Sequence, residues 1–288
     1  PDLVIGWWAL PTILEHGSAE QIEKFVTPTL RGEIVWCQLF SEPGAGSDLA
    51  ALRTTAEKVD GGWKLQGQKV WTSKAQMADW AICLARTDRD APKHKGITYF
   101  LVDMTAPGIT IKPLREITGD ALFNEVYLDG VFVPDELVVG GLGDGWKLTR
   151  TTLANERVAM SGTRLDDSVE RAVELCAGSS PAQQVEIGKA VALATVVKLL
   201  GVRATLKALA GQGPGAESSI AKLLGVRSRQ DSSELVVRLL GQRAFAVDDQ
   251  FVTAALHQQL LTRCLSIAGG TTQVLRNVVG ERILRLPR

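Results

Sequence analysis

The 288-residue chain balances 32 Lys and Arg against 32 Asp and Glu, and 45% of it is hydrophobic. This is an ordinary globular composition, long enough for about two domains with real cores. Exact charge balance with no basic or acidic block removes the electrostatic footprint that non-specific nucleic-acid or anionic-membrane binding needs. The most apolar stretch, Val191 to Val202, is broken by Lys198 and falls short of the roughly 20 residues of a membrane span. Cys37, Cys83, Cys176 and Cys264 are scattered, and none of the histidines lies near them at ligand spacing. That pattern predicts reduced thiols in a cytoplasmic protein and no metal site. The chain opens at Pro1 without a methionine and runs straight into Trp7, Trp8, Ala9 and Leu10, which suggests the middle of a larger protein.

Residues 1–33 read as helical, since Ser18 followed by Gln21 is a capping-box pattern and Ile22, Phe25 and Val26 supply one apolar face. Pro28 is expected to end that helix. Over residues 34–140 short apolar or alternating runs are separated by turn residues: Ile34 to Phe40, Trp63 to Val70 after Asp60-Gly61-Gly62, Trp80 to Arg86, Ile97 to Val102, Ile109 to Ile111 and Glu125 to Leu128. These predict an antiparallel β domain, a sandwich or barrel. After the glycines at 140, 141, 143 and 145, residues 141–288 turn to helical periodicity, in segments at 145–177, 181–210, 217–246, 249–267 and 272–285. The expected fold is thus α+β and multidomain, ending in a four-helix bundle. Lys-Leu-Leu-Gly-Val-Arg occurs at both 198–203 and 222–227, and both copies are expected to face the core.

The most informative string is Ser41-Glu42-Pro43-Gly44-Ala45-Gly46-Ser47-Asp48, straight after an apolar strand. Its glycines and serines can present N–H groups and hydroxyls to an anion or a polar cofactor edge. Taken alone it reads as a structural glycine-rich turn, and it is no Rossmann fingerprint because no parallel βαβ context surrounds it.

Read with Lys69-Val70-Trp71-Thr72-Ser73 and Gly269-Gly270-Thr271-Thr272-Gln273-Val274-Leu275-Arg276, the string resembles the acyl-CoA dehydrogenase family of flavoproteins. The resemblance runs from Trp7 to Arg288 and takes in Pro107-Gly108-Ile109 and Ser219-Ile220-Ala221-Lys222; most of the family's N-terminal helical domain is missing. It implies FAD as cofactor, with Gln38, Phe40 and Ser41 along the flavin and Ser47 at its phosphates or ribityl chain. Trp71 and Ser73 would flank the ring, and Thr271 and Gln273 would approach it. Without the resemblance, Trp71 reads as one more tryptophan in a β core.

Removing an α-proton from a thioester while a β-hydride leaves requires a base within hydrogen-bonding reach. The family's commoner base is the Glu before Gly-Thr in the last motif, and here that position is Gly269, preceded by Ala268. A minority arrangement, resembling the isovaleryl and long-chain branches, carries the glutamate on the first bundle helix before an arginine. Leu153-Ala154-Asn155-Glu156-Arg157 matches it. Glu156 is the candidate base, and Arg157 the candidate to tune it or bind substrate. Otherwise Glu156 is an ordinary helix-surface glutamate.

The resemblance implies an acyl-CoA substrate of fatty-acid or steroid side-chain β-oxidation, an electron-transferring flavoprotein as acceptor, and a homo- or hetero-oligomer. Two departures qualify it. The family's Arg-x-x-Phe-Gly element, which serves a neighbouring subunit's FAD, is absent from Cys176 to Gln184, and the glycine pattern near Leu239 to Arg243 is depleted. They leave open a catalytically silent subunit, or half of an unequal or fused assembly like the actinobacterial-type steroid enzymes it resembles. An acyl-CoA oxidase also stays open.

Overall fold

Two helices, α1 (Gly6–His16) and α2 (Ala19–Leu30), precede the sheet in a computed structural model that describes residues 5–161, 166–246 and 248–287. Ser18 caps α2 as its sequence predicts. Gln21 N donates to the Ser18 hydroxyl at 3.2 Å, and Ser18 N donates to Gln21 Oε1 at 3.1 Å. Pro28 does not end α2 but sits in its last turn. Proline removes one N–H donor, yet Arg31 N–H still reaches the Thr27 carbonyl at 3.1 Å, so the helix runs two residues further. The Gln21 amide then donates to the carbonyls of Glu136 and Val138 at 2.7 and 2.8 Å. Phe25 packs edge-on against Trp36 and Trp80.

The strands are β1 (Trp36–Leu39), β2 (Thr55–Val59), β3 (Gly62–Ser73), β4 (Trp80–Arg86), β5 (Ile97–Asp103), β6 (Ile109–Leu114), β7 (Phe123–Pro134) and β8 (Val138–Val139). They form one sheet in the order β6-β7-β3-β2-β4-β5-β8, with β1 added alongside β4. The pairing is antiparallel as predicted except at β4, where both β1 and β2 run parallel to it. The Asp60-Gly61 turn joins β2 to β3. β2 escaped sequence prediction because Thr-Ala-Glu-Lys-Val buries only Ala56 and lacks an apolar alternation. The core gathers Trp36, Leu39, Leu65, Leu84, Tyr99 and Phe100. Cys37 and Cys83 are buried free thiols, and burial raises the pKa of each.

The rest is helical: α3 (Gly145–Ser161), α4 (Asp167–Glu174), α5 (Pro181–Leu209), α6 (Glu217–Leu240), α7 (Gln250–Leu261) and α8 (Thr272–Arg282). The segment expected at 145–177 divides because Asp166 caps a new helix, its side chain accepting from Ser168 N. α6 packs against α4, α5, α7 and α8, and its buried positions are filled with small residues such as Ser218, Ser219, Gly225 and Ser232. The chain separates into two units, Pro1–Asn155 and Glu156–Arg288, with the boundary inside α3. No described helix is long and apolar enough to cross a membrane.

One expectation fails here. Of the two Lys-Leu-Leu-Gly-Val-Arg copies, only that on α6 faces the core. On α5, Lys198, Leu199, Val202 and Arg203 are exposed and only Gly201 is buried. Identical residues share a helical preference, but which face is covered depends on the neighbouring helices.

Candidate active site

In the first unit, the strings at 41–48 and 69–73 meet. Val70 N donates to the Ser41 carbonyl at 2.9 Å, and Glu42 and Ala45 exchange backbone bonds at 3.0 Å to close the Pro43-Gly44 turn. The Glu42 carboxylate accepts from Arg53 N at 2.6 Å, Thr54 N at 2.9 Å and Lys69 Nζ at 2.9 Å. Lys69 is fully buried and donates also to the carbonyls of Phe40 (3.2 Å) and Leu84 (2.8 Å). Burial alone would raise the Glu42 pKa, but the Lys69 ammonium and the hydrogen bonds outweigh it and hold the carboxyl below its usual range. The Glu and Lys of the two strings are therefore scaffold, a buried ion pair fixing the loop to β3 and β4. Sequence reasoning assigned neither of them this role.

What the scaffold presents outward is Trp71. Between the pairs Lys69–Val126 and Thr72–Asn124, β3 carries one more residue than β7, a β-bulge. Trp71 sits in it at φ 59°, and Lys74 follows at φ 55°. Left-handed backbone at non-glycine residues stores on the order of 1–3 kcal/mol each, strain that clusters at functional sites. The bulge leaves the indole 63% exposed, edge-on to Phe123. Asn124 pins the segment by donating to the Thr72 carbonyl at 3.0 Å and to Gln76 Oε1 at 2.6 Å. Ser73 is half-buried beside Trp71, and Ser41 is half-buried at the start of the loop. Ser47 is exposed at the far end of the loop.

Gln38 projects from β1, its amide oxygen accepting from Trp8 Nε1 at 2.6 Å. Phe40 is 2% exposed, with its ring against Tyr99, so only its main chain can be offered to a ligand. A hydroxyl network joins β5, α3 and α1: Tyr99 to Thr152 at 3.1 Å, and Thr152 to Thr12 at 2.8 Å.

In the second unit, Glu156 on α3 is 7% exposed. Gly269 has φ +65°, and a Cβ built there would meet Met160 Sδ at 2.6 Å and Glu156 Oε1 at 3.3 Å. A side chain at 269 would thus run into the Glu156 carboxylate. Lys222, only 1% exposed on α6, donates from Nζ to the Gly270 carbonyl at 2.8 Å. Burial pushes its pKa down to about 8 against the opposing pull of Glu156. Burial likewise lowers the Arg157 pKa, the Glu156 charge opposing and the Arg282 charge assisting, and its Nε has no hydrogen-bond partner among the described residues. Thr271 caps α8, accepting from Val274 N at 3.2 Å, while Gln273 is exposed on the first turn. Lys222 carried no assigned role in the sequence, although it falls in phase with the buried stripe Ser218, Ser219, Gly225 and Val226.

The first unit's residues suit a flavin. An exposed flat indole, with half-buried Ser73 two residues on and half-buried Ser41 tied by its carbonyl to Val70, matches a ring system with apolar faces and polar edges. Nothing lies within 4 Å of where Cβ atoms at Gly44 or Gly46 would stand, so the loop backbone is open to close approach. Pro43, Gly44, Arg53 and Gln68 help line a cleft of about 400 Å³ beside that loop.

Sequence comparison matches residues 37–131 to the acyl-CoA dehydrogenase middle domain and residues 143–284 to the acyl-CoA dehydrogenase C-terminal domain. The acyl-CoA dehydrogenase FadE34 of Mycobacterium tuberculosis is 60% identical over the whole chain, which spans 40% of its length. The acyl-CoA dehydrogenase IpdE1 of the same organism is 36% identical over 96% of the chain and 74% of its own length. Among solved structures, the steroid ACAD Tcur3481-Tcur3483 superposes with a TM-score of 0.90 at 29% identity, covering 99% of this chain and 77% of the other.

Proposed function

Since the chain belongs to the acyl-CoA dehydrogenase family, we propose that it oxidises a saturated acyl-CoA thioester to the trans-2-enoyl-CoA, with FAD as redox cofactor and Glu156 as the base. The carrying observation is the 3.3 Å between Glu156 Oε1 and the Cβ that Gly269 lacks. Position 269 is where the resemblance puts the family's commoner glutamate, so a carboxylate reaching in from α3 stands where one from 269 would begin. Two glutamates there would crowd like charges, and the glycine is the complement of Glu156 rather than a loss of function.

When bound, FAD supplies the two-electron acceptor that takes the β-hydride as the Cα–Cβ double bond forms. In this reading the Ser41 and Ser73 hydroxyls and the Phe40 main chain hold the polar edge of the flavin. Trp71 gives it an apolar wall, Gln38 lies along it, and Ser47 takes the phosphate or ribityl side. The resemblance also gives Thr271 and Gln273 a role in binding the cofactor. Glu156 accepts the α-proton on a carboxylate oxygen, and its burial keeps water from competing for that proton. Arg157 orients the substrate or tunes Glu156.

The substrate class we favour is a bulky acyl-CoA of the steroid side-chain type, supported by the likeness to the steroid ACAD Tcur3481-Tcur3483. Electrons then leave to an electron-transferring flavoprotein, and the chain works in an oligomer. A second reading, a silent subunit of an unequal assembly, draws on the missing Arg-x-x-Phe-Gly element at Cys176 to Gln184. It does not explain why the Trp71 bulge is kept.

An anaerobic titration of the full-length protein with short, long and steroid-type saturated acyl-CoAs tests the proposal. Bleaching of the oxidised flavin by one class is the expected result, and Glu156→Gln should keep the flavin yet slow its reduction by about 10²–10⁴-fold. Reduction of that variant at the wild-type rate refutes the base. A flavin that no acyl-CoA bleaches, or no flavin at all, favours the silent subunit.

A further inference from the structure

The second unit buries a cation that the proposed chemistry does not use. Lys222 is 1% exposed on α6, where neighbouring inward positions carry Ser218, Ser219, Gly225 and Val226. An ammonium in such a place loses its hydration and is held only where acceptors or an opposite charge replace it. One acceptor is the Gly270 carbonyl at 2.8 Å, in the turn whose Gly269 faces the Glu156 carboxylate. The opposite charge is Glu156, whose field favours the protonated lysine. Arg157 on α3 and Cys264 in the turn after α7 also act on Lys222, and Arg282 on α8 acts on Arg157.

We infer that Lys222 is a positioning residue for the reaction: its ammonium ties α6 to the Gly269-Gly270 turn and holds the neighbouring Glu156 in its ionised, proton-accepting form. The inference rests on the reading of Glu156 as the base, but its electrostatic half can be read without turnover. The attraction is mutual, so whatever Glu156 does to keep Lys222 protonated, Lys222 does to keep Glu156 deprotonated. Arg157 does not duplicate the role. It adjoins Glu156 in sequence and so projects about 100° away around the helix.

The test uses the full-length protein and two readouts. The first is the titration of the Glu156 side chain by carboxyl-¹³C NMR, its signal identified by loss in Glu156→Gln. The second is the pH dependence of flavin reduction by acyl-CoA. Lys222→Met keeps the stem and removes the charge, and should raise the Glu156 midpoint by about one pH unit or more. That shift corresponds to an approximately tenfold slower reduction on the acid side of the profile. Lys222→Arg should restore both. Lys222→Gln carries the test if the Met variant does not fold, because it can still donate to the Gly270 carbonyl. It should show the same upward shift, whereas a purely structural strut would leave the midpoint at the wild-type value.

A Glu156 midpoint unchanged in the folded neutral variants overturns the inference even if Glu156→Gln abolishes reduction. Conversely, a shifted midpoint together with undiminished reduction in Glu156→Gln leaves the electrostatic coupling standing and refutes the base.

Discussion

The six residues Lys-Leu-Leu-Gly-Val-Arg occur twice in the helical unit and meet opposite fates. On α5, Leu199 is 61% and Val202 46% exposed; on α6, Lys222 is 1% and Val226 5% exposed. Both copies are helical, as their shared composition dictates, and in both the glycine is buried. The difference comes from what surrounds them. α6 has α4, α5, α7 and α8 packed around it, so even a lysine on it is drawn inside. On α5 the inward positions are Ile187, Ala194, Val197 and Gly201, and the rest of the repeated segment turns outward. Helical preference is thus local, whereas burial is decided by tertiary neighbours.

The sharpest way to break the comparison is charge reversal at the paired lysines. Lys222→Glu would bury a carboxylate near Glu156 in place of its counter-charge, and should destabilise the second unit by about 3–5 kcal/mol, the cost of an uncompensated buried charge. Lys198→Glu changes an exposed side chain and should stay within about 0.5 kcal/mol of wild type. Urea denaturation followed by circular dichroism measures both. Equal effects would mean that the two copies are buried alike in the working protein.

A milder version uses the paired valines. Val226→Ala removes buried methyl groups and should cost about 2 kcal/mol, the transfer term plus a residual cavity. Val202→Ala, 46% exposed, should cost less than about 0.5 kcal/mol. The same denaturation curves give the ratio. A large loss at Val202 would reveal a surface on α5 that is covered in the assembled protein.

Much of the architecture was legible because it rests on periodicity. The strands that bury a full face, such as Ile97 to Val102, and the helices bounded by caps at Ser180, Asp249 and Thr271 sit close to where their patterns put them. β2 was hidden because Glu57 and Lys58 put a charge on each of its faces and only Ala56 is buried. Glu156 was reachable only through the pairing of Glu-Arg with a vacant Gly269, and the physical complement, one carboxylate meeting one missing Cβ, exists only in the folded chain. The two buried lysines were the least legible. Hydropathy reads any lysine as surface, and only its phase with small neighbours marks Lys222, while Lys69 is explained by a carboxylate 27 residues away in sequence.

The smallest effect is the one that isolates the buried ammonium. Burial in the folded chain disfavours the charged lysine, so the Lys222 pKa falls from its ordinary 10.5 to about 8 on folding. Between those two values the unfolded chain holds a proton that the folded chain has released. Stability therefore rises with pH across that window, and the penalty of the charge is fully present below pH 8. From pH 8 to 9 the gain should be on the order of 1 kcal/mol. Lys222→Met abolishes this component, because no proton remains to be released, whereas Lys198→Met leaves it in place. Urea denaturation at pH 7, 8 and 9 of the three proteins measures the slope. A slope that survives in Lys222→Met assigns the titration to another group, Cys264 being the neighbouring candidate whose charge also acts on Lys222.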